Sequence, residues 1–256
     1  MIYQTRIPWT RFLPRLGRGA RGIRINPLDF TPSRIVNIRP LPLESARWVT
    51  LQEIEYIDAN QTKRRYERAK RIHSNTSPAP APALAPALAP VPAPDAVAII
   101  ALVHHPDPRH RPVEIILQKQ FRPALGKVCI ELPAGLVNSS TDTSPSNTAR
   151  RELAEETGIF ETVTVKRAEA IAYNDPGLSD ASVVLVHLDV DESGLTHRKN
   201  VALDEAELVE SFTVPVADLE NQLNSLRARG MAIDTRLVSL VAGMQLWKEF
   251  GTKLSL

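Results

Sequence analysis

Arg151-Glu152-Leu153-Ala154-Glu155-Glu156-Thr157-Gly158-Ile159 reads as the end of a helix that crowds three carboxylates onto one side. Upstream, Ser144 followed by Pro145 supplies an N-cap and a first-turn proline, and Gly158 supplies a residue that can turn left-handed. A helix is therefore expected over 145–157. Glu152 lies three and four residues before Glu155 and Glu156, so the three side chains project together. Like charges at this spacing repel unless they face water or a divalent cation sits among them. Hard oxygen donors of this kind suit Mg²⁺ or Mn²⁺. Glu-Glu alone is more often a solvated helix face, so the residues around the segment have to decide.

Around this helix the chain is rich in strand signals. Apolar runs at 96–103, 113–120 and 127–132 read as strands, and the polar, proline-bearing stretch 104–112 reads as a long hairpin loop. Strands are expected again near 161–173, 181–190 and 207–214, followed by helices near 215–228 and 233–249. Ahead of them all, 47–57 and 63–71 read as two strands joined by an Asp58-Ala59-Asn60 turn. A mixed β-sheet sandwiched between helices, with an N-terminal β-hairpin, covers this many apolar strands most simply. The expected fold class is α/β, of the α+β type. His104, His105 and His110 fit no metal-ligand spacing and are expected to be solvated in their loop.

Composition divides the chain further. Residues 1–28 hold six arginines (Arg6, Arg11, Arg15, Arg18, Arg21 and Arg24) and no acid. This is the composition of a mitochondrial transit peptide or of a cationic tail, although Pro8 and Pro14 interrupt any amphipathic helix. Residues 29–73 form the N-terminal strand region. Residues 74–95 are almost pure proline and alanine, a spacer that favours extended polyproline II. The main domain is expected over 96–256. The formal net charge is +2, but outside the first 28 residues 25 basic side chains face all 29 acidic ones. A broad cationic surface for nucleic acid is not suggested. No stretch approaches the roughly 18 to 20 apolar residues of a membrane helix. The single cysteine, Cys129, lies in the apolar run Val128-Cys129-Ile130 and reads as buried. That fits a reducing, intracellular compartment: mitochondrial if the arginines are an address, otherwise cytoplasmic or nuclear.

Preceded by Leu132-Pro133-Ala134-Gly135-Leu136, the segment 151–159 resembles the Nudix box. That pattern runs glycine, five residues, glutamate, seven residues, Arg-Glu, an aliphatic, any residue, Glu-Glu, any residue, glycine, aliphatic. Arg151 through Ile159 match every defined position. Gly135 takes the part of the opening glycine but lies two residues too far upstream. Where the box has its first glutamate this chain has Thr143, with Asp142 beside it as a partial substitute. The missing carboxylate looks structural, so some loss of loop rigidity is expected rather than loss of chemistry. The likeness extends over roughly 46–71 and from 96 to the C-terminus, and is closest to the ADP-ribose pyrophosphatases. It rests there on Gln120-Phe121-Arg122-Pro123 leading into Glu131-Leu132-Pro133-Ala134-Gly135-Leu136. It rests also on Asn174-Asp175-Pro176-Gly177-Leu178-Ser179, at the spacing of that subfamily's marker proline.

The resemblance implies Mg²⁺-dependent hydrolysis of the pyrophosphate bond of ADP-ribose to AMP and ribose 5-phosphate. Two alternatives stay open: action on other nucleoside diphosphate sugars or dinucleotides, and a non-catalytic ADP-ribose-binding module. By the same resemblance Glu152 and Glu156 are the principal Mg²⁺ ligands and Glu155 a further one, with Mn²⁺ a substitute ion and the Ala134 carbonyl completing the shell. Arg151 would orient the carboxylates. Glu207, in Glu205-Ala206-Glu207-Leu208-Val209-Glu210, would be the general base, with Glu205 in reserve. The hairpin matches the part of these enzymes that swaps between the subunits of a homodimer and closes over the adenine. Trp48 would then stack on the base and Tyr66 take the second stacking position, although both rings could be ordinary hairpin packing. Arg71 and Arg122 would contact diphosphate or ribose. Leu136 would line the pocket. Asp175 would accept from a ribose hydroxyl, or serve as a plain turn residue.

Overall fold

The structure is a computed structural model that describes residues 29–30, 33–38, 41–72, 93–107, 111–138, 140–196 and 208–251. Its centre is β3 (Ala96–His104), whose near-continuous apolar sequence suits a strand covered on both faces. β3 runs parallel to β9 (Ser182–Asp191) along its whole length. Its other edge is shared. Residues 96–98 pair antiparallel with β6 (Ala134–Leu136), and Leu102 and Val103 pair with the start of β4 (Glu114–Arg122). β4 pairs with β5 (Lys127–Glu131) over its second half and with β10 (Val209–Pro215) from Glu114 to Gln120. β7 (Val163–Ala168) and β8 (Ala172–Tyr173) extend the sheet beyond β9, and β11 (Ala232–Ile233) pairs parallel with β5. Among the described residues this makes a nine-stranded mixed sheet.

Alternation along the central strands builds two cores. Val97, Ile99, Ala101 and Val103 join Ala149 and Leu153 of α1 (Pro145–Thr157) with Val184, Val186, Leu188 and Val190 of β9. Leu195, from the short α2 (Ser193–Thr196), closes that side. Ile100, Ile115 and Leu117 face the other way, onto Leu219, Leu223 and Leu226 of α3 (Leu219–Ala228) and Leu237 of α4 (Thr235–Phe250). The sheet is therefore sandwiched between helices, as the strand and helix pattern predicts.

The expected hairpin forms from β1 (Val49–Ile57) and β2 (Lys63–Arg71), a separate two-stranded sheet. At its turn the Asp58 carboxylate accepts from the amides of Asn60 and Thr62 and from Arg64, which ties the corner together. Gln61 takes the left-handed conformation, φ 59°.

Several features differ from expectation. The strand expected over 161–173 is two strands, with a register shift between Val165 and Arg167. The helix expected from 215 begins as a 3₁₀ turn, Val216–Asp218, before α3. β6 and β11, of three and two residues, are too short to leave a periodic signal. His105 is not solvated. It is buried, with Nε2 3.2 Å from Glu114 and Nδ1 3.2 Å from Glu192, while Arg111 also reaches Glu192. Neither glutamate is its neighbour in sequence, and β3, β4 and β9 bring them together. His104 pairs with Asp189 at 2.9 Å. His110 lies outside the described residues, as do 1–28 and the Pro/Ala spacer through Val91 and Pro92. Cys129 is buried as expected, and that burial pushes its thiol up to about 12. No helix among the described residues is long and apolar enough to cross a membrane.

Leu153 is fully buried where α1 meets the sheet. Leu153→Ala should lower the unfolding free energy by about 2–5 kcal/mol, the usual effect of emptying such a site, as measured by urea denaturation.

Candidate active site

α1 begins and ends where its sequence indicates. Ser144, in extended backbone, accepts from the Asn147 amide, Pro145 occupies the first turn, and Gly158 at φ 75° stops the helix by donating to the Ala154 carbonyl. The helix carries Arg151, Glu152, Glu155 and Glu156 to the β6 side of the sheet.

Arg151 is the hub of this face. Its Nε and Nη2 donate to the two oxygens of Asp142 at 3.2 and 2.9 Å, Nη2 also reaches the Leu136 carbonyl at 3.1 Å, and Nη1 lies 2.9 Å from both Glu152 and Glu155. The guanidinium thus draws helix, loop and β6 together, and these neighbours raise its pKa, the Asp142 hydrogen bond most of all. Asp142 is the residue weighed above as a partial substitute for the box glutamate. Its side chain is only 4% exposed and also accepts from the Asn138 amide. Thr143, at the box position itself, accepts from the Asn147 side chain at 2.5 Å and makes no part of this cluster.

Gly135 has a separate reason to be glycine. A Cβ built there would overlap the carboxyl group of Glu152, so that carboxylate lies directly on the backbone beside Ala134. The carboxylate oxygens gathered on this side of α1 are the hard donors that a hard divalent ion takes. Among the described residues, no three acidic, histidine or cysteine side chains come together in a group that could hold a metal ion. Arg151 holds two of the three glutamates. Glu156 is buried at 6% exposure, and its carbonyl accepts from Ser211 at the start of β10.

The remaining expected site residues fall in separate places. Arg122 is bound through Nε and Nη2 to both oxygens of the buried Glu131, at 2.7 and 2.6 Å, and this pairing raises its pKa. That partner was missed because nine residues and a strand turn separate the two. Leu136 is half exposed, and its carbonyl is held by Arg151. Tyr66 donates its hydroxyl to the Gly177 carbonyl at 2.5 Å, which brings it to the turn that contains Asp175. Asp175 is exposed, and its carbonyl accepts from Leu178 and Ser179. Trp48 is 73% exposed and Arg71 stands exposed at the end of β2. Glu205 and Glu207 lie outside the described residues.

The Asp142 carboxyl is held down to about 2 from its usual 3.8, chiefly by the Arg151 hydrogen bond. A depressed pKa stabilises the fold above the unfolded value and loses that contribution as pH falls through the folded one. Asp142→Asn should therefore destabilise the protein near neutrality by about 1 kcal/mol, discounted for partial solvent screening. The difference from the parent should shrink between about pH 4 and pH 2 in denaturant titrations repeated across that range.

Comparison with known proteins bears on this geometry. The NUDIX domain model matches residues 94–233. An uncharacterised Nudix hydrolase of Schizosaccharomyces pombe is 35% identical over 212 residues, covering 82% of this chain and 92% of its own. The ADP-ribose pyrophosphatase of Saccharomyces cerevisiae is 30% identical over 241 residues, 93% of this chain and 94% of its own. The ADP-sugar pyrophosphatase of Mus musculus is 29% identical over 202 residues, 76% and 80% respectively. The domain match takes in the whole cradle, from β6 through the arginine hub to the end of α1, and the protein belongs to the Nudix hydrolase family.

Proposed function

We propose that the protein hydrolyses the pyrophosphate bond of ADP-ribose to AMP and ribose 5-phosphate, with Mg²⁺ as its ion and Mn²⁺ as a substitute. The observation that carries this reading is the seat of Glu152 on Gly135, under an arginine that also holds Glu155 and Asp142. The names of the yeast and mouse relatives supply the substrate class. Glu152, Glu155, Glu156 and the Ala134 carbonyl would hold the ion. When bound, it neutralises charge on the diphosphate and makes water a better nucleophile.

The chain's own residues do the rest. Arg151 keeps Glu152 and Glu155 from swinging apart by binding both through one nitrogen. Asp142 keeps Arg151 from swinging with them. Glu207 would take the proton of the attacking water, which requires it within hydrogen-bond reach. Arg122, oriented by Glu131, would present its guanidinium to the diphosphate or ribose, joined by Arg71. Trp48 would stack on the adenine, and Asp175 and Leu136 would meet the ribose side. An indole as exposed as that of Trp48 suits a role completed by substrate and by a second subunit. We therefore propose a homodimer in which the hairpin contributes to closing the site. The name of the mouse relative favours a wider range of ADP-sugars as the second reading.

Turnover of ADP-ribose, UDP-glucose, NAD and diadenosine polyphosphates, with and without Mg²⁺, tests the assignment. Metal-dependent AMP release, mainly from ADP-ribose, is expected. Preference for another compound would move the substrate, and binding of ADP-ribose without turnover would make the protein a sensor. Glu156→Gln should lower kcat on the order of 100-fold or more, the scale reached when one charge-stabilising group is lost, with the circular dichroism spectrum unchanged. Full activity in that variant would remove Glu156 from the ion site.

A further inference from the structure

β2 meets the turn between Asn174 and Asp180 through contacts of three kinds. The Ala69 amide donates to the Leu178 carbonyl at 2.8 Å, and Ala69 bridges Ser179 in the parallel sense. The Tyr66 hydroxyl donates to the Gly177 carbonyl. Arg68 Nη1 lies 2.9 Å from Asp180 Oδ2. Tyr66 and Arg68 are two residues apart on a strand and so share a face, with Ala69 on the other. Arg68 does more than pair with one acid. Its Nε and Nη2 donate to Gln52 Oε1 at 3.1 and 3.0 Å, and Gln52 stands directly opposite it on β1. A single planar guanidinium therefore fastens both strands of the hairpin to the turn.

The turn transmits what is fastened to it. The Asp175 carbonyl accepts from Leu178 and Ser179, and the Asn174 amide donates to the Ala181 carbonyl. Next along the chain, Ser182 is held by Asp95 through amide and hydroxyl. Residues 174–182 are closed by their own hydrogen bonds at both ends, so displacing Gly177 or Asp180 displaces Asp175.

We propose that Arg68 is a positioning residue. Through Asp180 it locks the hairpin to the 174–180 turn, so that Tyr66 and Asp175, which come from distant segments, form one wall of the nucleotide-sugar site. The Tyr66 hydroxyl is the latch on Gly177 and leaves the ring face for the substrate. This role rests on the substrate reading above, since the wall matters only if a nucleotide sugar lies against it. A prearranged wall strengthens ground state and transition state alike, so its loss raises KM and spares kcat.

Steady-state kinetics on ADP-ribose and amide hydrogen exchange on the substrate-free full chain test this together. Arg68→Ala and Asp180→Ala should each raise KM about fivefold, the size a partly exposed ion pair supports, with kcat held. The double variant should be no worse than Arg68→Ala, because both single variants remove the Arg68–Asp180 contact and only Arg68→Ala also removes the bonds to Gln52. Arg68→Lys should recover part of the loss, since an ammonium can pair with Asp180 but lacks the fork that also reaches Gln52. Exchange at residues 174–180 and at the Ala69 amide should quicken in both alanine variants. Additive KM effects, an unchanged KM, or unchanged exchange at 174–180 in Arg68→Ala would each overturn the proposal. Quickened exchange in a protein that turns over no nucleotide sugar would support the clamp while removing the substrate reading.

Discussion

A positive charge placed among acids organises the candidate site. Three glutamates within five residues of one helix repel each other, and a helix with that sequence has no reason to hold them still. Arg151 supplies one. It reaches two of the three through a single nitrogen and gives its remaining donors to Asp142 and to the Leu136 carbonyl. The same side chain that neutralises the helix face also stitches α1 to β6 and to the loop between them. Remove it, and Glu152 and Glu155 lose the guanidinium that they share.

The sheet explains why this hub sits where it does. β3 pairs with β6 at its start, with β4 near its end and with β9 throughout, so it fixes the height of Gly135 relative to α1, which packs across the same face. Burial of Leu153 sets the depth of the helix, and the turn at Gly158 sets its length. Ser211 then ties the Glu156 carbonyl to β10, the strand that follows the segment bearing Glu207. The helix end that carries Glu156 is thus tied to the sheet by the Ser211 hydroxyl.

Much of this was legible in the residues themselves. α1 could be bounded because Ser144, Pro145 and Gly158 act locally, and β3, β4 and β9 could be placed because apolar runs are visible without their partners. The failures share a cause. His105 reads as a loop histidine because the two glutamates around it come from β4 and from the residue just past β9. The partner of Arg122 leaves no sign in the sequence, because Glu131 faces it only after the chain has turned back. β6 and β11 were invisible because two or three residues carry no period and owe their existence to the strand beside them. Asp142 was half seen: its position next to Thr143 marked it, but its bidentate grip on Arg151 depends on a loop conformation that spacing alone does not encode.

The seat of Glu152 on Gly135 also bears on how this motif tolerates changes of length. The geometry demands a residue without a side chain opposite that carboxylate, and an acid at the foot of α1 to anchor the arginine, but it makes no demand on how many residues lie between. Here the intervening loop is pinched at its base, where the Asp142 amide donates to the Asn138 carbonyl and the Asn138 amide donates back to the Asp142 side chain. Extra residues can bulge outward above that pinch without moving either end. A glycine two places early is therefore a change of loop length absorbed at the surface, and a template that counts residues would discard a chain that a template of contacts would keep.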